Sequence, residues 1–365
     1  MAKGGQRKSL VLKLIGAIAS GGGSTVVGLS IGSSSVKLAE LKKTGKSWKL
    51  LHFATANLPE DAILNREVSN PIAIVEAIKT LLNKVKLKNK NVCSSLSGSA
   101  LIVKRFTLES TSKKSLQDDV FWEAEQYLPF NINEVIMDYH LLSQTKSKKA
   151  DVIFVAAKEA VLNSYTECIE DSGLNAKVMD VDFFALQNIF EANYPVSPTE
   201  AVAVVDIGAC SMKVVVVHKS IPVFTKDSTT GGKNLTSEIQ QHLGLSYADA
   251  EALKLGGSEG GVPQEVNDLV SIMADNLASE IKRSVDFYNA SSTGAPLAYV
   301  LLTGGGAKLP DLSRIVEETI GIPTQIINPF NAISYDPAVF TQDFITEIAP
   351  IAAVPLGLAL RAGAK

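Results

Sequence analysis

The sequence predicts an α/β fold built from two duplicated lobes, and three observations carry that prediction. Residues 26–41, VVGLSIGSSSVKLAEL, read as a buried strand, a small-residue turn at Gly32, Ser33, Ser34 and Ser35, and a returning strand. Residues 201–217, AVAVVDIGACSMKVVVV, repeat that pattern 176 residues later (206 minus 30), so that Asp206 matches Ser30, Gly208 matches Gly32, Ser211 matches Ser35 and Lys213 matches Lys37. Thirdly, a strand over 298–302 runs into the glycine turn Thr303, Gly304, Gly305, Gly306, Ala307, Lys308 and then a helical pattern over 309–320.

The elements follow in order. Residues 1–23 join Lys3, Arg7, Lys8 and Lys13 to Leu10, Val11, Leu12, Leu14, Ile15 and Ile18. The apolar run falls well short of the roughly 20 residues of a bilayer span, and Lys13 interrupts it. It reads as a short interfacial helix or a disordered extension, and less well as a signal peptide, with Gly21, Gly22 and Gly23 as a hinge. A strand over 48–56 precedes a helix opened by Asn70 as cap and Pro71 in the first turn, with Ile72, Val75, Ile78, Leu82 and Val85 on one face. Strands over 91–96 and 103–108 are followed by a helix over 112–128 that Pro129 stops. Its stripe is Leu116, Val120, Ala124 and Tyr127. Phe121 and Trp122 cannot both lie on it, so either one faces outward or both cover a satellite core.

Strands over 136–142 and 152–156 flank the Lys-rich turn at 146–149. A helix over 158–172 ends at Gly173, a strand spans 177–182, and a helix spans 183–193 before Pro195. Residues 231–273 are helical, beginning at Gly231 and Gly232, and Met273, Leu277, Ile281, Val285 and Tyr288 face one way on the next helix. The apolar stretch 348–360 contains Pro350 and Pro355 and reads as a core helix, being too short for a membrane anchor.

Composition narrows the chemistry. A chain of 365 residues, 46% apolar and 20% charged, is globular and exceeds what one core usually organises. Cys93, Cys168 and Cys210 form no CxxC pair, and His52, His140, His218 and His242 are scattered, which excludes a disulfide framework and a histidine-based metal centre. Residues 1–150 hold 22 Lys/Arg against 12 Asp/Glu (+10), and residues 151–365 hold 13 against 26 (−13), so the halves face different partners; the polarity suggests an anionic surface near the N-terminal part, while the alternating lysines of 84–90 fit a solvated helix end better. The basic residues lack the aromatic-interleaved clustering of a nucleic-acid surface.

A glycine followed by small hydroxyl residues at a hairpin tip leaves backbone N–H groups pointing outward and adds Ser donors, a chemistry that suits phosphate oxygens. Two such tips facing each other grip a polyphosphate from both sides. No Lys-Ser/Thr follows the glycines of 304–306, so this is no Walker A loop, and the spacing of a dinucleotide fingerprint is missing.

These residues resemble the actin/sugar-kinase/Hsp70 superfamily, in an actin-like ATPase fold. Within it, residues 26–41, WEAEQYLPFNINEVIMDYHLL at 122–142 and SEIKRSVDFYNA at 279–290 are similar to the PilM family of type IV pilus assembly proteins and, more distantly, to FtsA. The resemblance implies an FtsA-type 1C subdomain at 100–154 (SHS2-like), subdomain 1A at 24–99, 155–200 and 345–365, subdomain 2A at 201–230 and 274–344, and subdomain 2B at 231–273. It implies ATP and Mg2+ as ligands. The first phosphate loop would be Ser30, Gly32, Ser33, Ser34, Ser35 and Lys37, and the second Asp206, Gly208, Ala209, Cys210, Ser211 and Lys213. Glu251, Lys254 and the Glu280/Arg283 pair would lie near the nucleoside, Gly231 and Gly232 would also bind the cofactor, and Gly304, Gly305, Gly306 and Lys308 would form the adenosine loop. Ser30 stands where relatives carry an acid, leaving Asp206 as the metal-associated residue and placing hydrolysis in question more than binding. The implied partner is the N-terminal cytoplasmic peptide of the inner-membrane protein PilN, bound between 1A and 1C at the cytoplasmic face of that membrane, with homo-oligomers and peripheral lipid contact as further interactions. A polymerising FtsA-like protein and a small-molecule kinase are the alternatives. For the kinase no residue qualifies as an acceptor base, Asp180 and Asp182 being strand-end acids of the kind that cap turns.

Overall fold

The computed structural model describes residues 25–109, 116–145, 149–256, 261–291 and 294–363. The N-terminal extension, the first residues of the 112–128 helix and the turn residues 146–148 lie outside these. In chain order, β1 (Thr25–Ile31), β2 (Ser35–Thr44) and β3 (Ser47–Asn57) form an antiparallel meander. A hairpin of β4 (Ile63–Leu64) and β5 (Glu67–Val68) leads into α1 (Pro71–Lys84), after which β6 (Asn91–Leu96) returns parallel to β1. The Asn70 carboxamide accepts from the Ala73 amide at 3.2 Å, and Pro71 occupies the first turn, as the spacing predicts.

A separate sheet of β7 (Leu101–Glu109), β8 (Val135–Gln144) and β9 (Lys149–Lys158), in the order β7-β9-β8, carries α2 (Leu116–Glu125). Its core is Leu108, Val120, Ala124, Val152 and Phe154, with Phe121 packed against it. Trp122 is left 69% exposed, which resolves the aromatic pair in favour of one ring outside. The chain then runs through α3 (Glu159–Asp171), β10 (Asn175–Val181) and α4 (Asp182–Asn193).

The second lobe begins with β11 (Ala201–Ile207), β12 (Met212–His218) and β13 (Ile221–Ser228). Next come α5 (Gly232–Leu243), α6 (Tyr247–Lys254), α7 (Gln264–Ser291), β14 (Leu297–Thr303), α8 (Leu312–Ile320) and β15 (Thr324–Ile326). β16 (Ile333–Ser334), α9 (Gln342–Ile348) and α10 (Ala353–Gly363) close the chain. The two large sheets have the orders β10-β6-β1-β2-β3-β16 and β13-β12-β11-β14-β15.

Four features depart from the local sequence pattern. β13 is a strand despite Pro222, Lys226, Asp227 and Ser228; it is the edge of its sheet, where proline is tolerated. α7 runs unbroken through Met273, and β16 returns the chain to the first sheet, beside Trp48 and Lys49, before residue 345. The glycine turn after β14 is a 3-10 turn over Gly305–Lys308, and α8 starts only at Leu312, past Pro310.

Every residue of β11 is buried because both faces of the strand are covered. Val202 and Val204 join the core shared with the first lobe, and Ala201, Ala203 and Val205 join the one under α7 and α8. The C-terminal apolar stretch 348–360 runs from the last residue of α9 through a 3-10 turn at Ala349–Ile351 into α10, with a bend of 81° between the two helices, and α10 lies against β1 and α4. That contact requires two glycines. A Cβ on Gly28 would sit 2.0 Å from the Pro355 carbonyl oxygen, and one on Gly357 would sit 1.9 Å from that of Ala185. α10 is also anchored by Arg361, whose Nε lies 3.1 Å from the fully buried Asp180 carboxylate. Burial pushes Asp180 up to about 6, against the pull of Arg361 and of the Val181 amide.

Gly28→Ala should cost about 3 kcal/mol or more in urea unfolding, because backbone must move. Gly45→Ala, at φ +63° with open space around it, should cost only about 1 kcal/mol. The folded Asp180 binds its proton more tightly than an unfolded carboxylate. Its stabilisation is therefore complete at low pH and is lost as pH rises through about 6. The stability of wild type relative to Asp180→Asn should fall by up to about 3 kcal/mol between about pH 4 and 6, then level. Parallel pH–stability curves would refute this.

Candidate functional site

The duplicated hairpins fold alike. In each, the glycine amide closes the tip on the serine carbonyl: Gly32 N to Ser35 O at 3.0 Å and Gly208 N to Ser211 O at 2.8 Å. The amides of Ser33, Ser34, Ala209, Cys210 and Ser211 have no hydrogen-bond partner among the described residues. Ser34 is exposed, Ser35 and Ser211 are buried, and the Lys37 ammonium donates to the Ser35 hydroxyl at 2.8 Å.

Register sets the lysines apart. Lys37 lies between Ser30 and Thr55, whereas Lys213 lies between Asp206 and Asp227. Burial lowers the pKa of Lys37, with Asp206 opposing the shift and Lys213 adding to it. Burial would lower Lys213 too, but Asp182, Asp206 and Asp227 hold it well above the usual lysine value. The Lys213 ammonium is 3.3 Å from Asp206 in its own lobe and 3.2 Å from Asp182, which opens α4 in the first lobe and accepts from the Ser95 hydroxyl at 2.5 Å.

A second bridge crosses beside it. Arg66, in the β4–β5 turn at φ +67°, places Nη1 2.8 Å from Asp227 and donates from Nη2 to the Ser228 carbonyl at 2.9 Å. Its stem packs beneath Gly98, where a Cβ would sit 2.3 Å from Arg66 Cδ, and the Tyr165 hydroxyl donates to its carbonyl at 3.3 Å. Burial raises Asp227, with Lys213 and Arg66 opposing. Asp227 Oδ1 and the Ser228 hydroxyl are buried without a hydrogen-bond partner. The cleft thus joins three cations, Lys37, Lys213 and Arg66, to three carboxylates, Asp182, Asp206 and Asp227.

The other residues singled out by sequence fall around this cluster. Gly304, at φ +89°, lies on Asp206 and Ile207; a Cβ there would sit 2.6 Å from Asp206 Oδ1 and 2.3 Å from the Ile207 carbonyl. Gly306 packs on the Ile207 side chain, while Gly305 and Lys308 are exposed. Gly231 covers the second tip, a Cβ on it falling 2.5 Å from the Ala209 carbonyl. The Gly232 and Lys233 amides donate to Gly208 and Ala209 at 3.0 and 2.7 Å. Lys254 ties Glu251, Thr236 and the Gly232 carbonyl together at 2.5, 2.9 and 3.4 Å. Tyr247, beside them, is pushed up to about 12 by burial and then by Glu251.

Arg66, Asp182 and Asp227 carry no motif. Asp182 was legible as a strand-end acid, but its partner is 31 residues away in the other lobe (213 minus 182). Among the described residues no three His, Cys, Asp or Glu side chains are grouped to hold a metal. The unpartnered tip amides, the unpartnered Asp227 Oδ1 and Ser228 hydroxyl, and the glycine wall suit a phosphorylated ligand that brings its own cation, with Asp206 the acid nearest the glycine wall.

Comparison with known proteins places this geometry in context. The family model for type IV pilus assembly protein PilM matches residues 28–363. A chain of the PilM–PilN type IV pilus biogenesis complex superposes with a TM-score of 0.82 at 30% identity, covering 92% of this chain and 98% of that one. Cell division protein FtsA of Enterococcus hirae is 22% identical over 366 residues, 87% of this chain and 80% of its own. MreB 5 of Spiroplasma citri bound to AMPPNP shares the fold, with a TM-score of 0.50 at 11% identity over 91% of this chain and 94% of that one.

If the two lobes are joined through Arg66 and Asp227, removing either charge strands the other. Arg66→Gln and Asp227→Asn should each cost about 1–3 kcal/mol in equilibrium unfolding, and a double-mutant cycle should return a coupling above about 0.5 kcal/mol. Additive losses would mean the contact is incidental.

Proposed function

Because the chain belongs to the family of type IV pilus assembly protein PilM, we propose that it is an ATP-binding scaffold that holds the N-terminal cytoplasmic peptide of the inner-membrane protein PilN. The match to a chain of the PilM–PilN complex, at 30% identity over 92% of this chain, carries the reading. In this account the triphosphate lies between the two hairpin tips. The amides of Ser33, Ser34, Ala209 and Cys210 and the Lys37 ammonium, which has no acid in its own strand pairs, meet its oxygens. Glu251 and Lys254 shape the nucleoside side, and Gly304, Gly305 and Gly306 let the backbone approach the base closely.

Mg2+ would reach the cleft on the nucleotide, beside Asp206, and would neutralise phosphate charge there. Ser30 contributes no second acid across from Lys37, so hydrolysis is expected to be weak at most. The peptide would lie between the first lobe and the three-stranded sheet. Residues 122–130 border that seam: the Lys158 ammonium, at the start of α3, sits 4.5 Å above the Phe130 ring, and the Lys158 amide donates to the Ala100 carbonyl at 2.9 Å. No single helix among the described residues is long and apolar enough to cross a membrane, and PilN would hold the scaffold at the cytoplasmic face.

Calorimetric titration with a PilN N-terminal peptide, with and without Mg-ATP, tests both ligands. Saturable binding is expected, with an affinity that changes when nucleotide is present; equal affinities would remove the coupling, since an effector acts only through differential affinity. Asp206→Ala should weaken Mg-ATP binding about tenfold or more while leaving the peptide site intact. Absence of peptide binding in either state would sink the scaffold reading.

A further inference from the structure

We propose that the end of the first lobe opposite the cleft is a docking face for an anionic lipid bilayer. This deepens the membrane-side placement above. Strand register brings the parts together: Thr25 lies across from Lys42, Lys42 from Lys49, Lys43 from Trp48, and Val27 beside Val92. The Asn89 side chain donates to the Thr25 carbonyl at 2.9 Å, and the Asn175 amide donates to the Lys90 carbonyl at 2.8 Å. The β2–β3 hairpin and the loop before β6 therefore flank the point where the chain enters β1.

Lys42, Lys43, Lys46, Lys86, Lys88 and Lys90 are all exposed there, and none forms an ion pair with another described residue. Neither 41–58 nor 77–99 contains an Asp or Glu. The acids nearby are few. Glu40 is buried against His52 at 2.7 Å, Asp336 pairs with Lys49 at 3.5 Å, and Glu170 and Asp171 end α3 on the β10 side. The half-buried Trp48 ring lies 5.5 Å beneath the Lys43 ammonium, an amphipathic pair suited to a headgroup layer.

The occupant follows from what precedes Thr25. Residues 1–24 add Lys3, Arg7, Lys8 and Lys13, no acid, and the apolar run from Leu10 to Ile18. A short apolar segment alone holds a membrane marginally, and stable attachment takes a second signal such as a polybasic patch. The chain that carries the first signal enters β1 at Thr25, at the end of the sheet that presents the second. Each lysine at an anionic surface is worth about fivefold in affinity, and salt weakens it.

The test is co-sedimentation of the full chain with vesicles of phosphatidylcholine alone or mixed equally with phosphatidylglycerol. Binding to the anionic vesicles only, weakened by salt, is expected. Lys42→Gln, Lys46→Gln, Lys88→Gln and Lys90→Gln together should lower it at least about tenfold, with Mg-ATP affinity unchanged as the check on folding. Leu12→Glu with Leu14→Glu should lower it independently. Equal binding to both vesicles, wild-type binding by the lysine variant, or retention on a soluble polyanion without vesicle binding would each overturn the proposal. The peptide titration, done without lipid, fails or succeeds separately.

Discussion

Lys213 is a cation held almost out of water where the two lobes meet, with its ammonium shared between Asp206 of its own sheet and Asp182 of the other lobe. Burying an isolated ammonium costs several kcal/mol, so neither carboxylate is dispensable once the lysine is inside. That requirement sets the distance between β12 and the start of α4, and with it the depth of the cleft. Arg66 and Asp227 repeat the arrangement one strand farther out. The six charges balance, so an incoming polyphosphate has no net positive field to enter and must bring cations or exchange partners within the cluster. Under the proposed ATP-binding reading, any such exchange acts on contacts that span both lobes and so couples the phosphates to the rest of the molecule.

The duplicated hairpin shows how one local design yields two roles. The tips of residues 32–35 and 208–211 close with the same hydrogen bond. The difference lies across the strands, where Ser30 and Thr55 leave Lys37 without an acid at its paired positions and Asp206 and Asp227 enclose Lys213. Lys37 is thus the cation with more to gain from a phosphate oxygen, and Lys213 is the one that already holds the lobes together.

Around this centre the packing is unforgiving where backbones touch and tolerant elsewhere. Gly28 and Gly357 let α10 lie directly on β1 and α4, while Gly304 lets the third loop lie on Asp206. These contacts tie the C-terminus, the first strand and the site into one body. The three-stranded sheet has its own small core and leaves Trp122 outside it.

Much of this was legible in the order of residues. Runs such as 201–207 and 212–217 declare strands buried on both faces, Asn70-Pro71 declares a helix start, and the repeat at a spacing of 176 declares duplicated tips, because each depends on side chains near in sequence. The strand β13 was hidden by Pro222 and its polar end, since only its place at the sheet edge makes that composition acceptable. Arg66, Asp182 and Asp227 were illegible as site residues for a related reason. A charge acquires its role from its partner, and theirs lie across a cleft, so the sequence by itself determined the duplicated small-residue tips and which charges they carry, and only the tertiary structure decided which charges are neutralised and by whom.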